Sequence, residues 1–230
     1  MSSEEKKYVS VALDGPSGAG KSSIARSVAQ ELGFLYVDTG AIYRTVAYCV
    51  QQKGVDPKDA QAVAALLPEM VITMGYDGAG LQRMYLNGED VTKEIRLPEI
   101  SMCASQVSEI PAVRDFLLDM QRDMAKKHNV IMDGRDIATV VLPDADVKIY
   151  LTASAEERAK RRHRELREQG TPVDYGVILV EIEERDYNDT HRATAPLKRA
   201  ADAVRLDTSE LNFEQSRQEV LRLVREQLSL

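Results

Sequence analysis

Eight residues near the start of the chain, Gly15-Pro16-Ser17-Gly18-Ala19-Gly20-Lys21-Ser22, with Ser23 behind them, keep the spacing G-x-x-x-x-G-K-[ST]. This is the pattern of a phosphate cradle. Glycines let successive backbone N–H groups turn toward one point at a helix N-terminus, which makes an anion site. Lys21 is spaced to reach β- and γ-phosphates, and the Ser22 hydroxyl is a ligand for Mg²⁺. Such a metal also wants an acidic residue at a strand end; Asp133, after Val130-Ile131-Met132, and Asp38 both qualify. An Asn-Lys-x-Asp element for reading guanine is absent from the sequence, which argues against a GTPase.

Basic residues form a second set. Arg44 falls one turn into an expected helix that follows a strand end, and Arg135 follows another strand end directly. Arg185, Asp189 and Arg192 are spaced i, i+4, i+7, which predicts one helical face on which the carboxylate holds both arginines. On spacing alone a solvated charged face is the favoured reading of that triplet. Guanidinium groups around two separate phosphates suit an enzyme that joins polyanions. Further on, Ser154-Ala155-Glu156-Glu157 is a capping box that starts a helix bearing Arg158, Lys160, Arg161, Arg162 and Arg164. The plain reading is a solvated helix with Glu157–Arg161 pairing. The functional one is a lid over 154–172 that brings Arg158 and Arg162 over a γ-phosphate, excludes water, and ends at Gly170 and Pro172.

Short β-branched runs must position these groups. Tyr8–Leu13, Phe34–Val37, Val130–Met132, Val147–Leu151 and Ala203–Leu206 read as strands, with helices expected over 21–32, 41–52, from Pro111 and over 213–228. Five strands with helical crossovers predict an α/β fold with a parallel sheet covered on both faces, whose ligands bind beyond the strands' carboxyl ends. The stretch 68–101 breaks the rhythm. Val71–Met74, Arg83–Leu86 and Val91-Thr92, separated by Gly75, Asp77-Gly78 and Asn87-Gly88, predict a small antiparallel insert. The expected organisation is a core of 1–67 and 102–230 with the insert at 68–101.

Composition bounds the rest. The chain has 230 residues, 30 Lys+Arg against 37 Asp+Glu, and a formal charge of −7, unsuited to duplex binding by bulk charge. No apolar run approaches the roughly 18 residues of a membrane span. The polar start, Met1–Lys7, shows no secretory leader. Cys49 and Cys103 are the only cysteines and form no CxxC pair, so reduced thiols and a soluble, cytoplasmic monomer without nucleic-acid or membrane partners are expected. His128, His163 and His191 carry no expected chemistry.

The runs DGPSGAGKSS (Asp14–Ser23), DTGAIYR (Asp38–Arg44), ASQVS with Arg114 beyond it, DGRDIATVVLPDA (Asp133–Ala145) and ERDYNDTHRATAPL (Glu184–Leu197) together resemble the bacterial cytidylate kinase family across nearly the whole length. The resemblance implies a P-loop kinase that moves the γ-phosphate of ATP, with Mg²⁺, onto CMP or dCMP. It implies that Arg44, Arg135 and Arg192 clamp the acceptor phosphate and that Ser105, Arg114 and Asp136 read cytosine. Thr39, Arg185 and Asp189 would complete the acceptor site, the last two at the sugar hydroxyls, and Asp207-Thr208-Ser209 would border adenine. Lys21, Arg135, Arg158 and Arg162 would act on the transferring group. Two positions depart from the enterobacterial pattern: Thr39 where Ser is common, and Asn188 where Arg occurs. Alternatives are a kinase of UMP or shikimate and a non-catalytic nucleotide-dependent switch; the second set of arginines argues against the switch, which needs no second anion site.

Overall fold

In the computed structural model, which describes residues 8–230, the alternating runs become β1 (Ser10–Asp14), α1 (Lys21–Leu32), β2 (Leu35–Asp38), α2 (Thr39–Gln52) and α3 (Ala60–Leu66). Then follow β3 (Ile72–Tyr76), β4 (Gln82–Leu86), β5 (Glu89–Asp90), α4 (Pro98–Val107), α5 (Pro111–Lys127) and β6 (Val130–Gly134). The chain ends with β7 (Val147–Thr152), α6 (Ala155–Glu168), α7 (Tyr175–His191), β8 (Val204–Asp207) and α8 (Phe213–Leu228). The polar start, Met1–Lys7, lies outside the described residues. Among the described residues no helix is long and apolar enough to cross a membrane. Five strands form one parallel sheet in the order β2-β6-β1-β7-β8, and three form a separate sheet in the order β3-β4-β5.

The chain divides into two compact units, one of Leu35–His128 with Tyr8, the other of Val9–Phe34 and Asn129–Leu230. In the second, β1 runs parallel to β6 in the register Ser10↔Val130 to Asp14↔Gly134, and parallel to β7 from Val11↔Val147. Val11, Ala12, Leu13, Val130, Ile131 and Met132 are wholly inaccessible to solvent. A parallel strand covered on both faces must be apolar at every position, which explains runs without alternation. The outer strand β8 is only half-buried, alternating intermediate and exposed residues. Helix α8 begins with a full capping box between Asn212 and Gln215 and buries Val220, Leu221 and Val224. Cys49, in the other unit, is a core residue as expected.

In that other unit the antiparallel sheet forms as expected, with one correction. Asn87 and Gly88 both have positive φ (51° and 86°), the two-residue hairpin turn their types favour. That turn sets Leu86 opposite Glu89 and Tyr85 opposite Asp90, so the third strand is Glu89–Asp90 and not Val91-Thr92. The Thr92 hydroxyl takes the Met84 N–H at 2.9 Å, and Asp90 takes the Thr92 N–H, so side chains end the ladder there.

Candidate active site

The phosphate loop links β1 to α1. Gly15 must be glycine: at φ 152° a β-carbon would lie 1.9 Å from the Leu151 carbonyl oxygen, so β7 and the loop touch through bare backbone. Gly20 caps α1 in the left-handed conformation (φ 89°), with no side chain bonded to the first amides and no acidic residue in the first turn. Those amides and the helix dipole are the features a helix N-terminus offers to an anion. Lys21 is 5% exposed, its ammonium donating to Pro16 O at 2.7 Å. Burial and the neighbouring Arg135 charge push its pKa down to about 7, while Asp133, Asp189 and Asp14 pull the other way. Ser22 Oγ donates to Asp133 Oδ2 at 2.8 Å.

The end of β6 adds a cluster in the same unit. Arg135 Nε donates to Asp189 Oδ2 at 2.6 Å, and Arg192 Nη2 lies 3.9 Å from Asp136 Oδ1. Burial alone would raise Asp189, but Arg135 above all, with Arg185 and Arg192, holds it below the usual carboxylate range. The expectation of one helical face over Arg185, Asp189 and Arg192 is corrected. Helix α7 ends at His191; Arg192 is its cap in an extended conformation, with Nε and Nη2 on Ala195 O. The chain turns because Leu197 N donates to Asp189 O at 2.7 Å, and Asp189 turns its carboxylate to Arg135 of another element. Asp14, 2% exposed, accepts from Ile137 N and Ala138 N; burial raises its pKa to about 6 against those amides, with Asp136 adding repulsion.

The two arginines expected over a γ-phosphate, Arg158 and Arg162, part company. Helix α6 starts at Ser154, whose hydroxyl accepts from Glu157 N, and Glu157 pairs with Arg161 at 3.4 Å. Arg158 is 3% exposed, donating to Ser17 O of the phosphate loop at 2.9 Å, to Ala153 O, and with two nitrogens to Asp186. Arg162 is exposed and pairs with Glu165 at 2.8 Å. The Asp207-Thr208-Ser209 turn is braced by Arg161, which donates to Thr208 O and Leu211 O.

The other unit has its own charged centre. Asp38 caps α2 by accepting from Ala41 N and binds Arg44 Nη2 at 3.0 Å and Arg96 Nη2 at 2.9 Å. Burial would raise its pKa; the two guanidiniums and the Ala41 amide outweigh that and lower it. Gln82 of β4 clasps the Asp38 backbone, accepting its N–H at 2.8 Å and donating to its carbonyl at 3.2 Å. Thr39 is buried at the first position of α2. Arg114 of α5, 7% exposed, donates to Ser108 O at 3.0 Å and lies over the Tyr43 ring, 5.4 Å from its centre. Ser105, on α4, accepts the Ser108 hydroxyl at its carbonyl. Sequence reasoning missed Arg96, Gln82 and Asp186. Arg96 and Gln82 lie in the insert, outside the matched runs, and Asp186 lies within the run Glu184–Leu197 but was given no role; only folding brings each to its partner.

The family model for cytidylate kinase matches residues 11–226. A cytidylate kinase of Caldicellulosiruptor bescii is 48% identical over 217 residues, 94% of this chain and 96% of that one. Another from Pelotomaculum thermopropionicum is 50% identical over 207 residues, 90% and 92% of the two chains. A solved structure of an uncharacterized protein from Eubacterium ventriosum is 12% identical, covers 96% of this chain and 99% of its own, and superposes with a TM-score of 0.51, a likeness of fold alone. With a phosphate loop, an adjoining arginine–carboxylate cluster and this extent of similarity, the chain belongs to the cytidylate kinase family.

Proposed function

We propose that the protein transfers the γ-phosphate of ATP to CMP or dCMP, giving CDP or dCDP and ADP. The observation that carries this reading is geometric: within one unit, Gly134 pairs with Asp14, the residue before the phosphate loop, and the next residue, Arg135, is held by Asp189, so a second cationic centre adjoins that loop. A nucleotide-dependent switch needs only the first. In the reaction, an oxygen of the acceptor phosphate attacks the γ-phosphorus in line; the bond to the β-bridging oxygen breaks and ADP leaves with its electron pair. No protein nucleophile takes part. The chain supplies alignment and positive charge where charge spreads in the transition state.

We assign Lys21 and the amides of residues 15–23 to the triphosphate, and Arg44, Arg135 and Arg192 to the acceptor phosphate. Asp136, Ser105 and Arg114 read the base, and Arg185 and Asp189 the sugar. A carboxylate at Asp136 accepts from the exocyclic amine of cytosine, where uracil presents a second acceptor instead. Arg158 and Arg162 are assigned to the transferring group, with Arg158 supported by its bond to Ser17 O. Mg²⁺ fits beside Ser22 and Asp133, two adjacent hard oxygen donors of the kind it takes together with phosphate oxygens and waters. Bound there, it would neutralise charge on the phosphates. Asp38 is the poorer candidate because its carboxylate is engaged by two arginines. A cytoplasmic monomer without nucleic-acid or membrane partners suits the acidic composition.

The test is a panel: ADP release with Mg·ATP and each ribo- and deoxyribonucleoside monophosphate in turn, and with shikimate. Fast turnover with CMP and dCMP is expected. Preference for another acceptor, or ATP binding without turnover of any, would overturn the reading.

A further inference from the structure

Asp14 ends β1 directly before the phosphate loop, and its carboxylate is bound by amides of a different element. Oδ1 accepts from Ile137 N at 2.9 Å and Oδ2 from Ala138 N at 2.8 Å. Those donors open the short π-helical turn Ile137–Val141, where the first amides have no partner inside the turn. The register sets Asp14 beside Gly134. The chain therefore leaves β6 at Gly134, passes through Arg135 and Asp136, and is held again on Asp14 at Ile137. Only two residues lie between the two anchors, and both are assigned to the acceptor. Asp136 sits in an irregular conformation (φ −144°, ψ 25°), and its carbonyl accepts from Val140 N and Val141 N, so its backbone too is held by the turn that Asp14 grips.

A buried carboxylate beside a second one is costly unless it is hydrogen-bonded. Asparagine in the same place would accept one amide and oppose the other with its NH₂ group. Two charge-assisted bonds from one rigid strand give a stiff hold on the turn.

We propose that Asp14 is the positioning residue of the acceptor-reading turn: by gripping the amides of Ile137 and Ala138 it sets Arg135 and Asp136 for the acceptor nucleotide. The claim rests on the reading of Asp136 as the group that selects cytosine. The test compares Asp14→Asn, and the smaller Asp14→Ser, with wild type for KM of CMP, KM of ATP, kcat and the CMP:UMP ratio of kcat/KM. Cooperative melting and ATP binding check that each variant folds. KM for CMP should rise about tenfold or more and the CMP:UMP ratio fall about tenfold, with KM for ATP within about twofold of wild type. In an Asp136→Ala background the effect of Asp14→Asn on the ratio should vanish. If KM for ATP rises as much as KM for CMP, Asp14 supports the phosphate loop and the proposal is wrong. It is also wrong if Asp136→Ala lowers the ratio while Asp14→Asn does not. Should Asp136→Ala leave the ratio unchanged, the base reading fails on its own account, and KM for CMP in Asp14→Asn then decides the positioning claim through Arg135.

Discussion

Replacing Arg135 by alanine perturbs two quantities that the structure allows to be separated. The first is turnover. A guanidinium lost from the transferring or accepting phosphate removes a charge-assisted donor aimed at developing charge, which costs about 3–4 kcal/mol, or a factor of about 10²–10³ in kcat/KM. The second is stability. Arg135 Nε bonds Asp189 at 2.6 Å, and the Asp189 side chain is only 8% exposed, so the variant leaves a buried carboxylate short of its main partner. Breaking a fully buried pair costs about 3–5 kcal/mol. Here Arg135 is one-fifth exposed and Asp189 also feels Arg185 and Arg192, which reduces the loss to about 1–2 kcal/mol, or about 2–8 °C in Tm for a chain of this size. Coupled ADP-release kinetics and thermal melting read the two effects. In Arg135→Ala with Asp189→Asn the orphaned charge is gone, so Tm should recover while turnover stays low. Turnover of the single variant within tenfold of wild type, or recovery of turnover in the double variant, would refute the reasoning.

Gly15→Ala should lower stability by about 3 kcal/mol or more and abolish tight ATP binding, because the new β-carbon meets backbone at 1.9 Å; melting within about 2 °C of wild type would contradict this. Burial and Arg135 lower the Lys21 pKa to about 7 in the free protein, so part of it is neutral at pH 7.5, and a bound triphosphate favours the charged form. ATP binding at that pH should therefore be accompanied by net proton uptake, measured by calorimetry in buffers of different ionisation enthalpy; no uptake would sink the idea. The same depressed value means that the folded protein holds fewer protons than the unfolded chain between about pH 7 and 10.5, so this group destabilises the free protein as pH falls through that window. Asp186→Asn removes the carboxylate that orients Arg158 toward Ser17 O, and KM for ATP should rise about tenfold with KM for CMP unchanged. A change confined to CMP would show that Arg158 serves the acceptor.

Local chemistry was legible without folding. The glycine spacing around Lys21, the Asn87-Gly88 turn and the bounds of α1 and α8 follow from backbone preferences and apolar periodicity over a few residues, and the structure has them where the residues put them. Local rules failed where a distant partner outbid them. Helical spacing set Arg192 on the face of Asp189, but Leu197 N closes a turn onto Asp189 O and ends the helix first. Pro196 was the available signal, since helices usually stop before a proline. The Asn87-Gly88 turn signal suggested a strand at Val91-Thr92, and the Thr92 hydroxyl took the place of the ladder. The pairs that tune the site join residues far apart in the chain: Asp14 with Ile137, Asp189 with Arg135, Asp38 with Arg96 and Gln82. Residue types by themselves pointed to a phosphate loop and to a second set of cations for another anion. Which carboxylate holds which guanidinium was decided only by tertiary structure, because a charge answers to every neighbour within a few ångströms and sequence order does not record those distances.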